Sequence, residues 1–260
     1  MNKISKILEK NNIFAKKSFG QNFLTNEKPI LDIVKTASVS KKDLIIEVGP
    51  GLGILTKELA KNSKKVISLE LDKSLLPLLN EHLKEYENVE IINQDALKFI
   101  PPKTPYKVVA NIPYNITSPL INHFLQAENP PTSMSLLVQK EVAEKLCILD
   151  PDMTVLSLQV ALFGKAKYIK KVPAGYFHPI PKVDSAIIHI ELYDKKNPNY
   201  LEKEKALKIL KIAKTCFSNR RKKLKNTLPR ELHENAIKKG IDLSRRPETL
   251  STQEWAQFCL

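Results

Sequence analysis

Leu44-Ile45-Ile46-Glu47-Val48-Gly49-Pro50-Gly51-Leu52-Gly53 is the stretch on which the fold turns. A short apolar, β-branched run bounded by turn residues predicts a buried strand, here Leu44–Val48. The three glycines that follow allow a sharp turn and let a ligand reach the main chain without Cβ interference. Helical apolar spacing then begins at Ile54 and predicts a helix over Ile54–Asn62. Strand, glycine turn and helix in this order open a nucleotide-type α/β unit. A dinucleotide fingerprint would want a small residue where this chain has Ile54. Glu47, ahead of the glycines, suits a cationic ligand such as a sulfonium amino acid better than a pyrophosphate. Taken alone, the glycines read more readily as a purely structural turn than as a cofactor site.

Working outward, the same alternation continues. Further strands are predicted at Val66–Glu70, Val89–Asn93, Lys107–Asn111 and Ser133–Val138, and later ones near Ala166–Val172 and over Ser185–Leu192. Helical patterns lie between them, at about Ser74–Tyr86, Pro119–Ala127, Lys140–Leu149 and Thr154–Phe163. This is a doubly wound α/β pattern, with a mixed, mostly parallel seven-stranded sheet whose late strands supply an antiparallel edge. Two acids extend the glycine signal. Glu70 ends the second strand, where a carboxylate can accept both hydroxyls of a ribose. Asp95 follows the third strand, where a carboxylate can receive an adenine amine. Each acid alone also reads as a cap or strand end. On successive strand ends, with Glu47, Gly49 and Gly51, they define a site for S-adenosylmethionine, with S-adenosylhomocysteine as product and no metal.

The fourth strand ends in Asn111-Ile112-Pro113-Tyr114. An adenine amine is a poor nucleophile, because its lone pair is delocalised into the ring. Acceptance of its two protons by the Asn111 side chain and a main-chain oxygen near Ile112 would favour a pyramidal nitrogen and aim the lone pair at a methyl group. Pro113 fixes the backbone, and Tyr114 offers a flat face for the base. With so good a leaving group as a sulfonium, orientation can replace strong base catalysis. A target adenine must be unpaired or flipped out of its stack. Phe177, in Phe177-His-Pro-Ile-Pro-Lys-Val-Asp-Ser185, reads either as a second aromatic for that base or as a core residue beside a proline turn.

The whole chain carries 42 Lys and Arg against 28 Asp and Glu, a net charge of +14, which favours polyanionic partners. Residues 195–260 hold 17 of the basic residues and only 7 of the acidic ones, so most of the excess lies in one segment. That segment follows a polar, turn-rich linker at Asp194–Asn199 and shows no strand pattern. The expected organisation is a Rossmann-like domain over 1–194 and a small all-helical, basic domain over 195–260. Leu201–Phe217 has helical spacing, and Ser251-Thr-Gln-Glu254 is a capping box for a last helix. Three scattered cysteines argue against a disulfide framework or a zinc knuckle. The five histidines show no ligand spacing. No apolar run approaches the roughly 18 residues of a membrane span. Met1–Lys17 is basic, contains Glu9 and lacks an apolar core, so it does not read as a secretory signal; the expected location is cytoplasmic.

These stretches, with Lys17-Ser-Phe19-Gly20-Gln21-Asn22-Phe23-Leu24, Val138-Gln-Lys-Glu-Val142 and Phe217-Ser-Asn-Arg220-Arg221-Lys222-Lys223-Leu-Lys225-Asn226, come in an order that closely resembles the KsgA/RsmA-type ribosomal RNA small-subunit adenine dimethyltransferases. The resemblance covers nearly the whole chain from about Lys16. It implies that the Gln-Asn-Phe-Leu segment closes over the cofactor, making Asn22 and Leu24 cofactor contacts beside Gly49, Glu70, Asp95 and Asn111. It also implies two methyls on each of two adjacent adenosines in the 3′-terminal hairpin loop of small-subunit rRNA, within an assembling 30S subunit, and a monomeric enzyme. Ile112 replaces the commoner Leu, and Thr117-Ser118 is transposed against the usual Ser-Thr. Beside such a site Arg220, Arg221, Lys222, Lys223 and Lys225, taken as one turn of helix, suit phosphate contacts. Lys3, Lys6, Lys10, Lys16 and Lys17 form a candidate second patch.

Three rivals remain. The related large-subunit adenine methyltransferases of macrolide resistance share the cofactor loop, but the 220–226 segment looks like the small-subunit enzymes. A non-catalytic assembly factor of the same fold would not need Glu47, Glu70, Asp95 and Asn111–Tyr114 intact. A DNA adenine methyltransferase more often has Asp where this chain has Asn111.

Overall fold

A computed structural model of the chain describes residues 7–8, 10–11, 13–16, 19–147, 153–219 and 221–259. The strand and glycine turn expected over 44–53 are formed. A first short strand, β1 (Phe23–Leu24), and a helix, α1 (Glu27–Thr36), precede the sheet. The sheet then alternates with helices: β2 (Leu44–Val48), α2 (Ile54–Asn62), β3 (Lys65–Glu70), α3 (Leu76–Leu83), β4 (Val89–Asn93), β5 (Lys107–Asn111), α4 (Thr117–Leu125), β6 (Ser133–Gln139) and α5 (Lys140–Cys147). After α6 (Val155–Phe163) come β7 (Gly164–Val172), β8 (Phe177–His178) and β9 (Ser185–Leu192). The chain ends in α7 (Lys203–Phe217), α8 (His233–Lys238) and α9 (Thr252–Cys259).

The seven-stranded sheet has the order β4-β3-β2-β5-β6-β9-β7. Pairing is parallel from β4 to β6, and β9 runs antiparallel to β6, with Ser133 opposite Glu191 and Gln139 opposite Ser185. The central strands are buried on both faces, as parallel strands covered by helices must be: Ile45, Ile46, Val66, Val108 and Val109 have no exposed surface. Strand order reverses between β2 and β5, the switch point where ligands bind open α/β sheets. β7, at one edge, exposes Lys165, Lys167, Lys170 and Lys171, charges that discourage pairing with another chain.

α1 and the β1–β8 pair were not expected from the sequence. Asn26 caps α1, its side chain accepting from the Lys28 N–H, and the helix buries Ile30 and Ile33. β1 pairs antiparallel with β8, Leu24 opposite Phe177. The segment expected as helix over 74–86 begins as a 3₁₀ turn, Lys73–Leu75, capped by Asp72, and continues as α3.

The described residues fall into two compact units. One runs up to Ala143 and includes Lys167–Glu191; the other comprises Glu144–Ala166 and the residues from Leu192 onward. The second unit therefore takes in α6, which the sequence reading places with the sheet. α6 is apolar nearly all round, and Leu158 and Leu162 share one core cluster with Ile209, Leu210, Trp255 and Phe258. In that core the Phe217 and Trp255 rings stack with centroids 5.9 Å apart. The expected capping box is formed: the Ser251 N–H donates to Glu254 at 2.8 Å, and the Glu254 N–H to the Ser251 hydroxyl at 3.2 Å. Residues 194–200 are a series of turns in which Asp194 and Asn197 accept from nearby main-chain N–H groups.

Candidate active site

The strand ends define the site because the parallel strands all stop at the same carboxyl-end edge of the sheet. Beyond β2, β3, β4 and β5 lies a cavity of about 340 Å³. Glu47, Gly49 and Gly51 line it from the first turn, Glu70 from the second strand end, and Asp95 from the third. Asn111, Ile112, Pro113 and Tyr114 line it from the fourth, and Asn22 and Leu24 from residues 19–24. All the cofactor residues expected from the sequence thus face one space.

Gly49, Gly51 and Gly53 have φ of 68°, 58° and 77°, a left-handed turn that side chains other than glycine's tolerate poorly. Glu47 is 1% exposed; its Oε2 accepts from the Ser68 hydroxyl at 2.7 Å. Its Oε1 accepts no hydrogen bond among the described residues. Burial, with the nearby Glu70 charge, pushes the Glu47 carboxyl up to about 7, against the pull of the Ser68 and Thr56 hydroxyls. Glu47 lines the cavity, and its carboxylate, once ionised, is an acceptor of the kind an ammonium group requires. Glu70 is buried, and burial raises its carboxyl too. It is oriented by N–H donors from Asp72 at 2.8 Å and Gly51 at 3.4 Å, leaving further lone pairs for hydroxyl groups. Asp95 Oδ1 accepts from the Leu97 N–H at 2.9 Å. These donors and acceptors fit S-adenosylmethionine: an ammonium acceptor, a ribose acceptor and an adenine-amine acceptor on three successive strand ends.

At the fourth strand end the Asn111 side-chain Nδ2 donates to the Asn22 main-chain oxygen at 3.3 Å. Among the described residues nothing donates to Asn111 Oδ1, so the amide presents its acceptor end. Ile112 is buried, and its N–H donates to Leu137 O at 3.2 Å, holding the main chain on from β5. The Tyr114 hydroxyl bonds Ser185 Oγ at 2.6 Å, and burial raises its pKa. The phenol tip is fixed and its proton retained.

Phe177 and the basic run come out differently from the sequence reading. Phe177 is 2% exposed, packs with Ile30, Ile33 and Val109, and does not line the cavity. Of its two sequence readings, the core one describes this structure. The basic run is not one turn of helix. α7 stops at Phe217, residues 221–223 form a turn and bend, and 224–226 a 3₁₀ turn. The cause is Leu224, fully buried, whose N–H bonds Arg245 O at 2.8 Å while the Lys225 N–H bonds Leu243 O at 3.0 Å. Arg221, Lys222, Lys223 and Lys225 are nonetheless exposed; Arg220 lies outside the described residues. So do Lys3, Lys6 and Lys17 of the second basic patch. Lys16 is not a free cation, since its ammonium bonds Asp72 at 2.6 Å.

The sequence reading named Gln21 only as part of the cofactor-closing segment, and it missed Asp72, to which Gln21 is bonded. Asp72 is 3% exposed and binds both Lys16 and Gln21. Its local signal was faint: an acid two residues after Glu70, readable as an ordinary cap.

A sheet of this order with ligand groups on the ends of β2 to β5 is that of the Rossmann-like methyltransferases. The chain belongs to the ribosomal RNA adenine dimethylase family, whose profile matches residues 12–259. Curated relatives include "Ribosomal RNA small subunit methyltransferase A" of Dehalococcoides mccartyi, 38% identical over the full chain and 92% of the relative. The protein of that name from Clostridium botulinum is 40% identical over 93% of the chain and 92% of the relative. Among solved structures, the 23S rRNA methyltransferase ErmE is 29% identical, with a TM-score of 0.75 over 92% of this chain and 98% of that one. A dimethyladenosine transferase from Plasmodium falciparum shares the fold, with a TM-score of 0.77, 24% identity and coverage of 91% and 95%. No helix among the described residues is long and apolar enough to cross a membrane.

Proposed function

We propose that this chain transfers methyl groups to N6 of two adjacent adenosines in the 3′-terminal hairpin loop of small-subunit rRNA, acting as a cytoplasmic monomer on an assembling 30S particle. The observation that carries this reading is the Asn111 amide, held with its acceptor end uncommitted in the lining of a cavity that Glu47, Glu70 and Asp95 also line. S-adenosylmethionine, when bound, supplies a methyl on a sulfonium that leaves as a neutral thioether, S-adenosylhomocysteine. Glu47 would hold its ammonium group, Glu70 its ribose and Asp95 its adenine amine. Asn111 Oδ1 and a main-chain oxygen near Ile112 accept the two protons of the target amine. That contact localises the nitrogen lone pair and aims it at the methyl that the bound sulfonium would give up, the S–C bonding pair staying with sulfur, and the surplus amine proton would pass to water. The Tyr114 ring stacks on the base. No metal takes part in this scheme. Exposed Arg221, Lys222, Lys223 and Lys225, with Arg220, contact rRNA phosphates.

The likeness to ErmE favours a second reading, methylation of large-subunit rRNA. The curated relatives named for the small subunit share more identity with this chain, which supports the first. Tritiated-methyl transfer from S-adenosylmethionine to unmodified small subunits, with large subunits in parallel, separates them. About four methyls per small subunit, from two on each of two amines oriented in turn, and none on the large subunit is the expected result. Label on the large subunit alone would move the chain to the second reading. Binding to small subunits without transfer would make it an assembly factor.

A further inference from the structure

We infer that Asp72 is a positioning residue for methyl transfer: its carboxylate clips Lys16 and Gln21 beside the cavity, and that clip sets which end of the Asn111 amide faces the target amine. The inference rests on the reading of this cavity as the methyl-donor site. Asp72 Oδ1 accepts from Lys16 Nζ at 2.6 Å, and Oδ2 accepts from Gln21 Nε2 at 2.9 Å. The other end of the Gln21 amide accepts the Lys16 main-chain N–H at 2.8 Å. Lys16, Gln21 and Asp72 therefore close a ring of hydrogen bonds, and the Lys16 ammonium also lies 5.6 Å from the centre of the Phe19 ring. A cap for the 3₁₀ turn at 73–75 needs only the Ser74 N–H and hydroxyl, which Oδ1 also accepts. Lys16, whose Nζ also donates to Ser74 Oγ at 2.9 Å, and Gln21 come from more than fifty residues away and bind the carboxylate beyond what the cap itself needs.

The next residue after Gln21 carries the consequence. Asn22 O takes the Asn111 Nδ2 hydrogen bond, while the Asn22 side chain donates to Gly20 O at 3.1 Å. An asparagine amide offers a donor at one end and an acceptor at the other, and the two have nearly the same shape. Only the partner of one end decides which faces a ligand. Here that partner is a main-chain oxygen on the clipped segment. Asp72 acts on the cavity from its other side too, since its N–H holds Glu70 Oε1 at 2.8 Å. Burial works to raise the Asp72 carboxyl, but Lys16, Ser74 and Gln21 together hold it down to about 2, so the charge is present at every working pH.

The test uses the full chain with Lys16→Met, Asp72→Asn, their double variant and Lys16→Arg. The Lys16 side chain is 43% exposed, so Lys16→Met leaves the core intact, and Asn at position 72 can still cap. Three quantities are read: hydrogen exchange of residues 19–24 without cofactor, affinity for S-adenosylmethionine, and single-turnover transfer to unmodified small subunits at saturating cofactor. Loss of a charge-assisted bond, discounted for the exposure of Lys16, predicts about tenfold faster exchange and about tenfold weaker binding in both single variants. Transfer at saturating cofactor slows as well, the double variant is no worse than Asp72→Asn, and Lys16→Arg recovers all three. A residue that merely stabilised the fold would lower the thermal midpoint and leave transfer at saturation unchanged. That result overturns the inference, as does exchange at 19–24 equal to the unsubstituted chain. Should the unsubstituted chain methylate only large subunits, or nothing, the small-subunit reading falls while exchange and cofactor affinity still judge the clip.

Discussion

The two compact units handle charge in opposite ways. In the sheet unit, Glu47, Glu70 and Asp72 are buried, and each is held by named donors at fixed distance. In the other unit, Arg221, Lys222, Lys223 and Lys225 are exposed on a turn. The first arrangement discriminates by position, because a buried polar group left unpaired is costly. The second attracts by summed charge, which salt screens and which any one cation supplies only in part. Substitutions should therefore be severe and specific in the sheet unit, and mild, additive and salt-dependent in the basic one.

The largest effect is expected at Asn111. Asn111→Ala should slow single-turnover transfer by about 100-fold or more, the scale of losing an oriented contact at the reacting atom, while cofactor affinity changes far less. Transfer near the original rate would remove the distinction between the units. Next comes Gly20, which has φ of 61° and where an added Cβ would lie 2.7 Å from Asn115 Oδ1. Gly20→Ala should weaken cofactor binding by about tenfold, since strain of this kind runs to 1–3 kcal/mol; titration calorimetry would show it.

The comparison sharpens with pH. The Glu47 carboxyl sits at about 7 in the folded chain, above its ordinary 4.5. Between those values the unfolded chain has already lost a proton that the folded chain keeps, so stability falls as pH rises from 4.5 and the full cost is present above 7. Glu47→Gln should raise the thermal midpoint at pH 8 and leave it nearly unchanged at pH 4. Cofactor binding should move oppositely, since an ammonium prefers the ionised carboxylate. Affinity rises as pH passes through 7, with proton release on binding, and Glu47→Gln abolishes that rise. An affinity flat from pH 6 to 8 would show that Glu47 does not meet the ammonium. The smallest effects belong to the basic turn. Each of Arg221→Ala, Lys222→Ala, Lys223→Ala and Lys225→Ala should weaken small-subunit binding only a few-fold and reduce the salt slope by about one, with cofactor affinity unchanged. A single one of them abolishing binding would mean that this unit, too, works by position.

The same contrast explains what could be read in the sequence. The strands over 44–48, 89–93, 107–111 and 185–192 appear where expected, because buried apolar runs between turn residues are a local signal. The acids that line the cavity were legible for a similar reason: each stands at or beside the end of such a run. α1 carried a signal that went unread, the Asn26 cap followed by Ile30, Ile33 and Val34 at helical spacing. The turn at 221–226 was misread as helix because what bends it is remote, the Leu243 and Arg245 carbonyls that take the Lys225 and Leu224 N–H groups. Phe177 was ambiguous in principle, since its burial depends on Ile30, Ile33 and Val109 from other parts of the chain. The ring of Lys16, Gln21 and Asp72 had no sequence pattern at all. Lys16 looked like one more basic residue for phosphate, and only the fold brings it against an acid 56 positions away.

The most direct measurement is the identity of the methylated nucleoside. Unmodified small subunits would be incubated with the chain and labelled S-adenosylmethionine, their rRNA digested, and the labelled nucleosides separated. A site that orients an exocyclic amine through Asn111 and Tyr114 predicts label in N6,N6-dimethyladenosine, with the monomethyl form as its precursor and nothing in ribose. Label in a pyrimidine, in guanosine or on a 2′-hydroxyl would contradict the account at its centre.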